Sequence, residues 1–230
     1  ENTGVYSALI AFVLQELGID YCQLPSLEIS RSKGISRGKN DKIDALKIAQ
    51  YLLTHRFKIS LSTVTEIHLT EMRLLYTHRE KIIKSISQFE KEFENTDFLP
   101  REIQKEILKS TNSILKSLHT NLKKIEDRLS AILKEHAAME KNFKLITSIP
   151  GIGKQTALYL MIITKNFTAF KEARQVACYA GVAPFPYQSG SSINGRTKVS
   201  NLADKKLKSL LNMCALSANK YDVELKEYFQ

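Results

Sequence analysis

From Val64 to Glu140 the chain has no glycine and a single proline, Pro100. Glycine and proline are the residues that most often interrupt a helix, so this stretch has to be long helix or nothing regular. Met72, Tyr76, Ile83, Ile86 and Phe93 follow a three-to-four spacing interrupted by Arg79 and Glu90; Leu118, Leu122, Ile125, Leu129 and Ile132 repeat it more cleanly. That pattern predicts two long helices joined near Asn95–Pro100, as an antiparallel coiled-coil hairpin over residues 61–140. An amphipathic helix lying on its own domain would carry a similar stripe. A seam kept up over several turns favours a partner helix.

The two flanks differ in character. In residues 1–60, Tyr6–Leu17 carries Leu9, Ile10, Phe12, Val13 and Leu14, the pattern of a well-buried helix, with Gly18 as its stop. Ile19–Leu24 suits a strand ended by Pro25, Arg31–Asn40 a basic loop, and Asp41–Leu53 a helix through Ala45, Ile48, Ala49 and Leu52. This order fits the later part of an α/β domain. Residues 141–230 read as a compact basic module whose last helix, Leu202–Lys220, aligns Leu207, Leu210, Leu211 and Cys214.

Composition narrows the partner. The net charge is +10, with a pI near 9.4, which favours a polyanion, either nucleic acid or an acidic membrane surface. A hydrophobic content of 43% rules out a disordered basic tail. Cys22, Cys178 and Cys214 lie too far apart for a zinc site or a disulfide framework. No apolar run approaches the roughly 20 residues of a membrane span. The chain begins with Glu1 and shows no signal-peptide pattern, so it reads as a cytoplasmic protein that has lost its start.

Three places could carry chemistry. Asp41 and Asp44, three apart at a helix start, put two carboxylates on one side, half of a site for a hard divalent cation such as Mg²⁺. The same residues are equally at home capping a helix and meeting its dipole. Glu1 is a candidate third ligand. Next, Leu145–Gly153 followed by Thr156 and Ala157 has two helical segments around a Gly-x-Gly turn. This resembles a helix-hairpin-helix, in which Gly151, Gly153 and Lys154 would hold a DNA phosphate; an ordinary helical corner also needs such glycines. Last, Gln188–Arg196 is a Ser/Gly-rich stretch in which a serine hydroxyl could reach a phosphorus atom, with Arg196 and Lys198 neutralising charge; a solvated polar loop has the same composition. The five histidines offer no Ser-His-Asp arrangement, and His119 and His136 read as surface or seam residues. Arg31, Lys33, Arg37 and Lys39 of the basic loop are candidate contacts to a nucleic-acid backbone.

Taken in order, three blocks resemble the DEDD transposases of the insertion-sequence-110 type, the family of the Piv-like invertases and the bridge-RNA-guided recombinases. Glu1–Tyr6 resembles the block with the family's second acidic residue, and Lys39–Ala45 the block with its third and fourth. Ser148–Gly153, Tyr179–Pro184 and Ser189–Ala218 resemble its C-terminal transposase domain. The resemblance implies an α+β, predominantly helical fold. Its parts are a truncated RNase H-like (RuvC-like) domain over 1–60, the coiled-coil hairpin over 61–140, and a small, mostly helical serine domain with the helix-hairpin-helix over 141–230. It implies an enzyme, a transposase or recombinase, with Glu1, Asp41 and Asp44 on Mg²⁺ and Ser189 as nucleophile. It also implies DNA as partner, a guide (bridge) RNA in the guided members, and a homo-oligomer, dimer or tetramer, through the coiled coil.

The chain departs from that pattern in places. The family's first aspartate lies on a strand before residue 1, and Ala203 and Lys208 stand where many members have Gly and Arg. Ser191 and Ser192 are neighbours of Ser189, which is chosen by family position alone. Two other readings use the same residues: a RuvC-like nuclease that hydrolyses DNA with water, and a nucleic-acid-binding scaffold whose acidic residues merely cap helices.

Overall fold

The structure is a computed structural model that describes residues 5–32, 40–62, 66–92, 100–189 and 193–229. Its described residues are predominantly helical, with one small sheet, and the chain divides into two compact units, Glu1–Thr65 and Glu66–Gln230.

In the first unit, α1 (Val5–Glu16) closes on Gly18, whose φ of +64° lets the Ile19 amide reach back to the Leu14 carbonyl. The apolar face that the sequence marks for burial is bare: Leu9, Ile10 and Phe12 are 69%, 63% and 55% exposed. The spacing specifies a helix and an apolar face, and burial needs a second surface that the described residues of this unit do not supply. The strand expected over Ile19–Leu24 is absent too. Its backbone partner is Ser62, whose amide donates to the Tyr21 carbonyl while its hydroxyl accepts from the Gln23 amide; two such bonds do not make a ladder. Helices α2 (Ser26–Ser32) and α3 (Asp41–His55) pack together through buried Ile29 and through the Tyr51 hydroxyl, which donates to Glu28. Arg31 therefore sits in the last turn of a helix and Asn40 caps the next one, while residues 33–39 of the expected basic loop, Lys33, Arg37 and Lys39 included, lie outside the described residues.

The second unit holds one continuous core. Helix α4 (Ile67–Glu92) lies against α5 (Arg101–Glu135), and Arg128 meets Glu71 while Arg79 meets Glu126, so the two run in opposite senses. On α4 the buried residues are Leu69, Met72, Tyr76, Ile82 and Ile86. Ile82 takes the core place expected of Ile83, which is 38% exposed; a drift of one residue is natural over so many 3.6-residue turns. On α5, Ile125, Leu129, Ile132 and Leu133 are buried, with Leu118 and Leu122 packed beside them. Phe93 lies outside the described residues.

At His136 the backbone turns extended (φ −123°, ψ 97°), ending α5 and opening α6 (Ala137–Thr147). Helices α7 (Lys154–Ile163), α8 (Ala173–Tyr179), α9 (Lys205–Tyr221) and α10 (Val223–Phe229) complete the unit, and α7 contacts both α4 and α9. The last long helix thus starts three residues later than Leu202, where Asp204 caps it by accepting from the Leu207 amide.

The Ser/Gly-rich stretch is not all loop. Strands β1 (Pro184–Ser189) and β2 (Ile193–Val199) form an antiparallel pair with Ser189 opposite Ile193. Two residues of β2, Arg196 and Thr197, stand opposite Pro186, which has no N–H to give the ladder, so the strand bulges there.

Candidate functional site

The expected metal ligands fall in the first turn of α3. Asn40 is the residue that caps this helix, its side chain accepting from the Lys42 amide at 2.9 Å. The cap bond to the Lys42 amide is thus made by Asn40 and not by either aspartate. Asp41 is exposed and Asp44 half-buried. The pair offers hard oxygen donors of the kind a divalent cation takes, which fits the expected chemistry. Among the described residues no group of three His, Cys, Asp or Glu gathers as a metal site, and Glu1 lies outside them.

In the second unit, the turn between α6 and α7 separates the roles of its two glycines. Gly151 has φ +86°, and a methyl there would stand 2.4 Å from the Cys214 carbonyl oxygen and 2.8 Å from the Ala218 amide. This glycine is fixed by the close approach of α9. Gly153, the residue before the first turn of α7, has open space where a side chain would be, and Lys154 beside it is exposed. Unoccupied space, the free amides of a helix start and a cation thus meet at Gly153.

Ser189 ends β1, and Gly190, Ser191 and Ser192 lie outside the described residues. Arg196 and Lys198 are exposed on β2, and the bulge interrupts the simple alternation that would set both on one face. Gly181, with φ +67°, turns the chain into this ribbon; a methyl on it would sit 2.3 Å from the Ala203 side chain.

One cluster was not foreseen from sequence. The Lys206 ammonium lies 4.2 Å from the Tyr76 ring centre and 4.0 Å from that of Tyr159, and 2.5 Å from the Glu80 carboxylate. The Tyr159 hydroxyl donates to Asp204 at 2.9 Å. Burial, with the Glu80 charge adding to it, pushes the Tyr76 phenol up to about 12. Burial and then the bond to Asp204 raise Tyr159; burial followed by the Asp204 charge raises Tyr179. These phenols stay protonated, and Tyr76 and Tyr159 tie α4, α7 and the start of α9 together. The one legible signal was an aspartate just ahead of the apolar spacing of α9.

Next to this clamp, Val182 and the outer face of α9 enclose an open groove of about 720 Å³ with Lys205, Lys208, Ser209 and Asn212 along it.

Comparison with known proteins bears on both units. A model for the IS116/IS110/IS902 family of transposases matches residues 143–230, and the DEDD transposase model for IS110 elements matches residues 1–96. The two lie in that order on one chain and between them reach both the α3 aspartates and the β1–β2 ribbon. The chain belongs to the IS110 family of transposases. It is 26% identical over 190 residues to the pilin gene-inverting proteins of Moraxella lacunata and Moraxella bovis, covering 81% of this chain and 55% of each relative. It is 28% identical over 123 residues to an insertion element IS110 protein of Streptomyces coelicolor, covering 54% of this chain and 29% of that protein. The chain thus spans about half the length of the pilin gene-inverting relatives it matches. Among the described residues of this transposase-family chain, no helix is long and apolar enough to cross a membrane.

Proposed function

We propose that the protein carrying this chain is a DNA transposase or site-specific recombinase that cuts and rejoins strands through a serine. The observation that carries the reading is the pairing on one chain, in family order, of the DEDD model over Asp41 and Asp44 with the transposase model over Ser189. The relatives named for inverting a pilin gene and for an insertion element support DNA as the substrate.

On this reading residues 1–60 are the RNase H-like part. Asp41 and Asp44, with Glu1, would hold a divalent cation, Mg²⁺ being the hard-oxygen choice, and a cation held there stabilises charge developing on phosphoryl oxygens. The Ser189 hydroxyl attacks a DNA phosphorus, releasing a 3′ hydroxyl and leaving the phosphate esterified to serine. The 3′ hydroxyl of a second strand then displaces the serine oxygen, so the number of phosphodiester bonds is conserved and no external energy source is required. Arg196 and Lys198 offset phosphate charge near that strand end. Gly153 and Lys154 hold a backbone phosphate against the start of α7, as the open space at Gly153 supports. Arg31, Lys33, Arg37 and Lys39 give a further backbone contact, to DNA or to a guide RNA. The α4–α5 pair, read as a coiled coil, joins copies into a dimer, and exchange between two duplexes calls for four copies.

The test is Ser189→Ala in the full-length protein, assayed on supercoiled DNA bearing its recombination sites. Loss of both cleavage and the covalent protein–DNA adduct is expected. Cleavage that survives without an adduct would favour water as nucleophile. Asp41→Asn and Asp44→Asn should each remove metal-dependent cleavage while the chain still binds DNA; unchanged cleavage would take the cation site away from α3.

A further inference from the structure

We propose that the groove between Val182 and the outer face of α9 is a binding site for the phosphodiester backbone of a nucleic-acid strand, gripped by Lys205, Lys208, Ser209 and Asn212. This site is separate from the Gly153 turn and from β2, and it rests on the nucleic-acid reading above.

The four residues fall at i, i+3, i+4 and i+7, so one face of α9 presents two ammonium groups, a hydroxyl and an amide in a row. From Lys205 to Asn212 the helix rises about 10.5 Å, close to three base steps of about 3.4 Å measured along the axis of a duplex. Such side chains donate to phosphate oxygens without reading sequence. Val182, Leu211 and Ala215 fill the remainder of the lining, and none of the lining residues is acidic.

The charges around the groove are arranged so that its cations stay available. Lys206, between the two, points away into the tyrosine clamp and is neutralised by Glu80. The nearest acid in sequence, Asp204, has one carboxylate oxygen engaged by the Leu207 amide and the other by the Tyr159 hydroxyl. Because Asp204 already occupies the helix start, the anion-binding power here comes from the lysines rather than from free amides. Lys205 and Lys208 have no ion-pair partner among the described residues. An exposed helix with a solvated charged face would show lysines mixed with acids; this face has donors only.

The experiment measures binding of the whole chain to fluorescently labelled 20-mers: random-sequence duplex DNA, single-stranded DNA and RNA, each from 50 to 300 mM salt. Lys205→Gln with Lys208→Gln should lower the slope of log K against log salt by about 1.8 for duplex, or about 1.4 for a single strand. At 0.1 M salt the duplex figure is about a 60-fold loss of affinity. Lys205→Arg with Lys208→Arg should keep the slope, and Lys220→Gln with Lys226→Gln, away from the groove, should keep it too. A loss confined to one of the three probes identifies which strand the groove holds; a loss in all three leaves the backbone site intact and unselective. Steep salt dependence in the unsubstituted chain that Lys205→Gln/Lys208→Gln does not alter, in a protein with unchanged circular dichroism, overturns the groove alone. Failure of the unsubstituted chain to bind any probe overturns both the groove and the nucleic-acid reading.

Discussion

The two units use the same raw material to different effect. In the second, the apolar sides of α4, α5, α6 and α7 find each other, and Met72, Leu129, Ile132, Met139 and Met161 are shut off from water. In the first, α1 is just as apolar along its length, yet Leu9, Ile10 and Phe12 stand in solvent and the buried apolar side chains described are Ile29 and Tyr51. A hydrophobic face is a demand for a partner, not a guarantee of one. Stability follows the partner.

The largest expected consequence is in amide exchange. Amides of α5 and α7 should be protected at least about a thousandfold more than those of α1, equivalent to about 4 kcal/mol in opening free energy. Equal protection in a hydrogen-exchange experiment would erase the contrast. Leu129→Ala should cost about 3 kcal/mol in denaturant unfolding, whereas Leu9→Ala should stay within about 0.5 kcal/mol. Gly151→Ala should also cost about 3 kcal/mol, because it combines a left-handed φ with collision against the α9 backbone. Gly181→Ala should cost about 2 kcal/mol, and Ala203→Gly in the same chain should recover part of that by making room for the methyl.

The mildest effect is one of pH. Tyr76 has its folded value near 12 against an ordinary 10, so the folded state favours the neutral phenol. Its contribution is whole below pH 10 and is lost as pH rises from 10 through about 12. Thermal melts across that window should fall more steeply for the native chain than for Tyr76→Phe.

Much of the second unit was legible in the sequence, since a periodic stripe free of glycine admits few alternatives. The shift from Ile83 to Ile82 marks the limit of that reading: period locates a face to within a residue, and contact with α5 decides which side chain is innermost. The β1–β2 ribbon was illegible because Pro184, Pro186, Gly190 and Gly195 are loop signals; the ladder survives by bulging at Pro186. The exposure of α1 was illegible for a different reason, since a single stripe cannot say whether anything will cover it. At the candidate site, Asp41 and Asp44 were found at the predicted helix start, with Asn40 doing the capping. The Lys206 clamp was hidden because it joins residues from positions 76, 80, 159 and 206, a closeness that no local pattern encodes.

Helix α5 is 35 residues long, about 52 Å from end to end, and it meets α6 at the single extended residue His136. That joint does not leave the rod free. The Arg79–Glu126 and Arg128–Glu71 pairs and the shared apolar seam splint it to α4, and Tyr76 fastens α4 in turn to Tyr159 of α7. A push beside the α6–α7 turn is therefore met by both long helices together and spread along their seam.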